Sequence, residues 1–123
     1  MTKLHILDCS LRDGGYRSNW NFTVDRTNSL LSISENLGID YLEFGFKFPS
    51  RRPEFGPFAN VSDAILKNFP LDGSARVGYM LEAKASELFS SPEEFADWAL
   101  MDTQLFDFVR IATGFESLES TAR

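Results

Sequence analysis

The sequence predicts an α/β protein with a parallel sheet, and three observations carry that expectation. Short apolar runs alternate with segments of helical period along the whole chain, which is the pattern of successive right-handed β/α units. Helix start and stop signals fall between the apolar runs, at Gly38 and at Ser91-Pro92-Glu93-Glu94. The 123 residues, 43% of them hydrophobic, suit one domain with a real core. That length is also about half of the roughly 250 residues of a closed eight-stranded β/α barrel.

The elements follow in order. Residues 4–10 (LHILDCS) read as a short buried strand. Residues 23–37 read as a helix with Leu30, Leu31, Ser34 and Leu37 on one face, and Gly38 stands where a C′ glycine belongs. Residues 39–46 (IDYLEFGF) are rich in β-branched and aromatic side chains and predict the second strand. A short helix is expected over residues 60–69, with Ala64, Ile65 and Phe69 inward, and a third strand over residues 76–82. Ser91 then supplies a capping hydroxyl, Pro92 the first helical position and Glu94 the N3 carboxylate, followed by the apolar stripe Phe95, Trp98 and Ala99. Residues 107–112 (DFVRIA) predict the fourth strand, and residues 113–123 the start of a further helix. The longest connection, residues 47–59, carries Pro49, Pro53 and Pro57 among Phe48, Phe55 and Phe58. It follows a strand, so it belongs to the sheet edge where α/β proteins place ligands.

Composition excludes several functional classes. Twelve Lys and Arg against eighteen Asp and Glu leave a net charge of −6, without the basic footprint that nucleic acid or an anionic membrane requires. The acidic excess is concentrated in residues 85–109, where a solvated helix face is expected. One cysteine, Cys9, excludes an internal disulfide framework, and one histidine, His5, excludes a metal site with two imidazoles from one chain. An early aspartate, Asp8, is at odds with a signal peptide, and no apolar run reaches the eighteen residues of a membrane span. A cytoplasmic protein is expected.

The chemistry-bearing segment is Asp8-Cys9-Ser10-Leu11-Arg12-Asp13-Gly14-Gly15-Tyr16. Charges are costly within a parallel strand covered on both faces, yet here an Arg–Asp pair is expected to close the first strand. Regular alternation would send Arg12 and Asp13 to opposite faces, and Gly14-Gly15 would free the backbone to turn both toward one ligand. An ordinary βα turn with a surface ion pair is the other reading. Glu43, between Leu42 and Phe44 on the second strand, would be costly to bury alone, and the adjacent first strand offers Arg12 as its partner. The three residues would then cluster at the C-terminal edge of neighbouring strands, leaving the second carboxylate for a divalent cation.

DCSLRDGGY followed by GIDYLEFGF resembles the metal-dependent aldolase and lyase barrels related to hydroxymethylglutaryl-CoA lyase, isopropylmalate synthase and 4-hydroxy-2-oxovalerate aldolase. The resemblance implies that residues 1–123 form the N-terminal half of a (β/α)8 TIM-type barrel, with four parallel strands alternating with three helices and the C-terminal half absent. It implies Asp13 as a ligand of a divalent metal (Mg, Mn or Zn), Arg12 as the group offsetting enolate charge, and Glu43 as its support. The implied reaction makes or breaks a carbon–carbon bond through a pyruvate-like enolate of a small anionic 2-oxo acid. Two departures stand out. Tyr16 occupies the region where hydroxy-oxovalerate aldolases carry a catalytic histidine, and an unperturbed phenol near pKa 10 is a poor base although it can relay a proton. The His-x-His pair that completes the family's metal site is missing.

The remaining candidates are Arg110 within the fourth strand, placed to bind a substrate carboxylate or to sit exposed at an edge, and Lys47 with Arg51 and Arg52 as a basic patch beside the site. Cys9 reads as a small buried residue and His5 as a group at the opposite end of the barrel. The isolated chain is expected to bind divalent metal weakly and to show no appreciable turnover. Alternatively it is a non-catalytic fragment or a small anion-binding α/β module. Two open sheet edges and an uncovered inward face, with some of Leu7, Leu11, Tyr41, Tyr79 and Phe108 on it, predict self-association.

Overall fold

The computed structural model describes residues 2–71 and 73–114. Strands β1 (Leu7–Asp8), β2 (Tyr41–Phe46), β3 (Arg76–Glu82) and β4 (Phe108–Ala112) form one sheet in the order β1-β2-β3-β4, with every pair parallel. Five α-helical segments lie between them: α1 (Ser10–Asp13), α2 (Gly15–Ser18), α3 (Val24–Leu37), α4 (Asp63–Leu66) and α5 (Pro92–Leu100). This is an α/β fold with half the strand count of an eight-stranded barrel. Of the helix expected over residues 113–123, Thr113 and Gly114 are not helical and residues 115–123 lie outside the described residues.

The two long helices form where their caps predict. Thr23 accepts a hydrogen bond from the Arg26 amide at the start of α3, and Gly38 closes it at φ 67° in the left-handed region. Of the predicted face, Leu31 and Ser34 are buried and Leu30 half-buried, but Leu37 is exposed, while Thr27 joins the buried side instead. Ser91 accepts from the Glu94 amide, and the Glu94 carboxylate accepts from the amide of Ser90, one residue earlier than the standard reciprocal bond.

Two elements are shorter than expected. The first strand stops at Asp8 because its carboxylate accepts the Ser10 amide (2.7 Å), after which Arg12 and Asp13 amides turn back onto the Cys9 carbonyl. Arg12 and Asp13 therefore sit on α1, not on a strand, and both chain-turning glycines are helical, Gly14 at φ −63°. The expected helix over residues 60–69 reduces to α4, because Asn60 bridges antiparallel to Lys47 and Val61 donates to the Phe46 carbonyl. Of the predicted face, Ile65 and Phe69 are half-buried against the core, but Ala64 is exposed and Leu66 is the buried residue of the helix.

The sheet's outer face carries the core. Phe44, Leu42, Val77, Tyr79 and Leu81 pack with Phe58, Val61, Leu66, Leu31 and Ala99. Tyr79, expected to face inward, points to this layer and donates to the Ala99 carbonyl of α5 at 2.6 Å. Leu11 is likewise buried within the main core. The inward face keeps Tyr41 and Phe108 edge-to-face at 5.7 Å, with Phe108 over Gly78. The β2–β3 register shifts between Glu43 and Phe46. Gly45 at that shift has φ 150°, and a Cβ there would stand 2.0 Å from the Phe58 carbonyl oxygen.

Carboxylates fasten the strand starts. Asp40 Oδ2, just before β2, accepts the Ile6 amide (2.8 Å), and its backbone carbonyl accepts the Arg76 amide. Asp107, just before β4, accepts the Val77 amide on Oδ2 and returns its own amide to the Val77 carbonyl.

Candidate active site at the strand ends

Glu43 is the centre of the site. Its side chain is 0% exposed, and it points from β2 to the sheet's inward face between two arginines. Arg12 Nε donates to Oε1 at 2.5 Å. Arg110 takes the carboxylate in a two-point grip, Nε to Oε2 at 2.5 Å and Nη2 to Oε1 at 3.0 Å. Burial alone would push the Glu43 carboxyl up. The hydrogen bonds from Arg110 and Arg12 overcome it and hold the carboxyl below its ordinary range. Both guanidiniums are shifted upward: Arg110 mainly by its hydrogen bonds to Glu43, and Arg12 by Glu43 and Cys9 against its own desolvation.

Local structure explains how these groups meet. Arg12 reaches inward from α1 because α1 starts one residue after β1 ends, and its Nη1 also donates to Asp13 Oδ1 at 2.5 Å. Asp13 remains 61% exposed at the rim. Trp20 Nε1 donates to the Arg12 carbonyl (2.9 Å), which fixes α1 from behind. Gly15 makes that possible: a Cβ there would lie 2.0 Å from the Trp20 ring. Arg110 sits on β4, two strands from Glu43, with Met80 as its ladder neighbour on β3, while the space over Gly78, the ladder neighbour of Glu43, is taken by the Phe108 ring. Arg110 Nη2 also approaches Cys9 Sγ at 3.5 Å, and Cys9 is half-buried rather than buried.

The structure thus brings Arg12, Asp13, Glu43 and Arg110 together. The two-point Arg110–Glu43 contact is absent from the sequence reading, which pairs Glu43 with Arg12 alone. An arginine inside the next strand but one is the signal that points to it. Tyr16, on α2, lies edge-on to Trp20 (4.9 Å between centroids) and to Phe46 (5.9 Å). The Arg12 guanidinium lies over the same Phe46 ring at 5.8 Å. Burial and then the nearby Glu82 charge push the Tyr16 phenol up.

Lys47 is placed elsewhere than the expected basic patch. It is 4% exposed, and its Nζ donates to the carbonyls of Ala99 (3.3 Å) and Met101 (2.5 Å) at the end of α5 and lies 5.6 Å from the Trp98 ring. Desolvation lowers its pKa. It closes the C-terminus of α5, where a cation meets unpaired carbonyls and the negative end of the helix dipole. Arg51 and Arg52 remain exposed on the loop. His5 lies at the start of the chain beside Asp40 (3.6 Å), at the far end from Glu43.

Beside Tyr16 opens a cleft of about 470 Å³, walled by Tyr16, Trp20, Phe48 and Phe55 with Arg52 and Glu82 at its polar positions. Among the described residues no three His, Cys, Asp or Glu side chains converge as a metal centre. Asp13 is a single candidate ligand, so the residues present do not by themselves fit a divalent cation. No helix among the described residues is long and apolar enough to cross a membrane.

No family model matches the chain, and no curated protein matches it significantly. Among solved structures, it is similar to the "N-terminal domain of a putative aldolase from Bacteroides vulgatus", with 30% identity and a TM-score of 0.81. The alignment covers 96% of this chain and 38% of that one, so the chain spans well under half of its neighbour's length. The four parallel strands with their helices thus share the α/β fold of that neighbour's N-terminal domain.

Proposed function

We propose that this chain supplies the enolate-binding side of an aldolase or lyase of the hydroxymethylglutaryl-CoA lyase and 4-hydroxy-2-oxovalerate aldolase type, acting on a small anionic 2-oxo acid. The observation that carries the reading is the buried Glu43 carboxylate of β2 gripped by two guanidiniums, one from α1 and one from within β4. A carboxylate buried only to be neutral would need one partner. Two arginines on one buried carboxylate leave one guanidinium charge over, which only Asp13 offsets from the solvent-exposed rim, and positive is the polarity an enolate oxygen requires.

In this reading Glu43 is a positioning residue. It stays ionised and fixes the planes of both guanidiniums, so their remaining N–H groups are aimed before the substrate arrives. Arg12 faces the developing enolate oxygen and Arg110 the carboxylate of the 2-oxo acid. Tyr16 stands at the rim, and its raised pKa keeps it protonated at neutral pH, so it serves as a proton donor or relay to the departing or incoming oxygen. Asp13 is one carboxylate of the kind a divalent cation takes, and the described residues do not complete a site around it. Neither turnover nor tight metal binding is therefore expected of the 123 residues alone.

Pyruvate and its enolate mimic oxamate test the reading by NMR titration of the arginine Nε–H signals. Both anions are expected to shift Arg12 and Arg110, with Glu43→Gln weakening the binding about tenfold or more. Absence of any anion-dependent shift at these two arginines would remove the proposal.

A further inference from the structure

We infer that the cleft beside Tyr16 is the subsite for the substrate's second fragment, the part that leaves as or enters as a carbonyl compound, and that this fragment bears an aryl group. This rests on the enolate-side reading above and names its substrate class. Tyr16 is the shared wall: its ring touches Phe46, over which the Arg12 guanidinium lies, and its other side lines the cleft. A 2-oxo acid held by Arg12 and Arg110 would therefore extend past Tyr16 into the cleft.

The cleft's size and walls select the fragment. At about 470 Å³ it falls within the range of sites that enclose a ring-bearing ligand, and it is far larger than a two-carbon aldehyde needs. Trp20 sits at the centre of an aromatic cluster, edge-on to Phe48 at 5.3 Å and to Phe55 at 5.0 Å. Trp20 itself is 3% exposed and backs the cluster, so the half-buried Phe48 and Phe55 and the exposed Tyr16 ring meet an incoming aromatic group, which favours offset or edge-to-face contact over a flexible alkyl chain. Arg52 lies over Phe55 at 5.4 Å, so its guanidinium plane extends the same stacking surface to the rim. Residues 19 and 20 both hold positive φ, 53° and 57°, in the turn that presents Trp20 to the cluster. Two consecutive non-glycine residues in the left-handed region are costly, and the Trp20 indole N–H anchored on Arg12 holds the turn there.

The test uses the full chain and three probes: pyruvate, benzyl alcohol, and 4-phenyl-2-oxobutanoate, which joins the two chemistries. Binding is followed by Trp20 fluorescence and by NMR. 4-Phenyl-2-oxobutanoate is expected to bind about tenfold or more tightly than pyruvate, and benzyl alcohol to shift the Trp20 and Phe55 resonances without shifting Arg110. Ser50→Phe, on the exposed loop lining the cleft, fills the space without touching the core and is expected to abolish the aryl gain while leaving pyruvate binding unchanged. Equal affinity for the two oxo acids, or an aryl gain that survives Ser50→Phe, would overturn the subsite while leaving the enolate reading intact. Pyruvate failing to shift the arginines while benzyl alcohol still binds would instead sink the enolate reading, and with it the assignment of this cleft to a substrate fragment.

Discussion

Glu43 shows what a single buried charge does to a site. Replacing it with glutamine leaves two guanidiniums facing each other without their anion, and breaking a buried pair of this kind costs about 3–5 kcal/mol. Chemical denaturation of Glu43→Gln is expected to show that loss. If stability stays within a few tenths of the parent, Glu43 is not holding the arginines. The pH dependence has a definite sign. The folded carboxyl titrates below its unfolded value near 4.3, so its stabilisation is complete above that value and is lost as pH falls through the lower folded pKa. Asp40, lowered chiefly by the Ile6 amide, acts in the same direction. Thermal melts should therefore fall in acid, and fall less steeply in Glu43→Gln. Gly15→Ala tests the other support of the site: its methyl would collide with the Trp20 ring, and a cost of about 1–3 kcal/mol is expected by the same denaturation assay.

Among the elements, β2, β3, β4, α3 and α5 were legible because each is marked by its own residues. Thr23, Gly38 and Ser91 cap within their own helices, and YLEFGF and RVGYMLE are apolar runs of strand length. The first strand and α4 were not, because both are decided by partners remote from the local pattern. An Asp8 side-chain bond ends β1, and the antiparallel return of residues 58–61 against β2 uses up the start of the expected helix. The same limit applies to the site. Arg12, Asp13 and Glu43 were legible as a motif with a spacing. The grip of Arg110 depends on a strand two places away, and the inward turn of Lys47 depends on where α5 ends. Ser91→Ala is expected to cost about 1 kcal/mol, with faster amide exchange confined to the first turn of α5. Lys47→Met keeps the length but leaves the Ala99 and Met101 carbonyls without its ammonium, for a loss of about 1–3 kcal/mol in the same melts.

For the whole molecule, the described residues leave β1 and β4 each paired on one side only. Leu4 and Ile6 are exposed beside the first edge, and Leu105 and Ile111 near the other. Unpaired edges flanked by apolar side chains favour association. Sedimentation of the chain expressed alone is expected to show concentration-dependent association or a broad, weakly cooperative melt. A monomer that stays ideal and unfolds cooperatively across micromolar concentrations would show that the edges are protected.

The carboxylates at the strand starts carry a consequence for how such a protein arises. Asp40 locks the chain just before β1, and Asp107 locks β3, so in each case a strand's leading residue sets the phase of an earlier strand. A β/α unit that carries its own leading aspartate brings its alignment with it. Duplication or fusion of such units adds strands without solving the register problem again. Glu43 and Arg110 lie further along the strands, three residues past each aspartate, and take no part in that alignment. Register and the charged cluster are thus carried by different residues of the same unit.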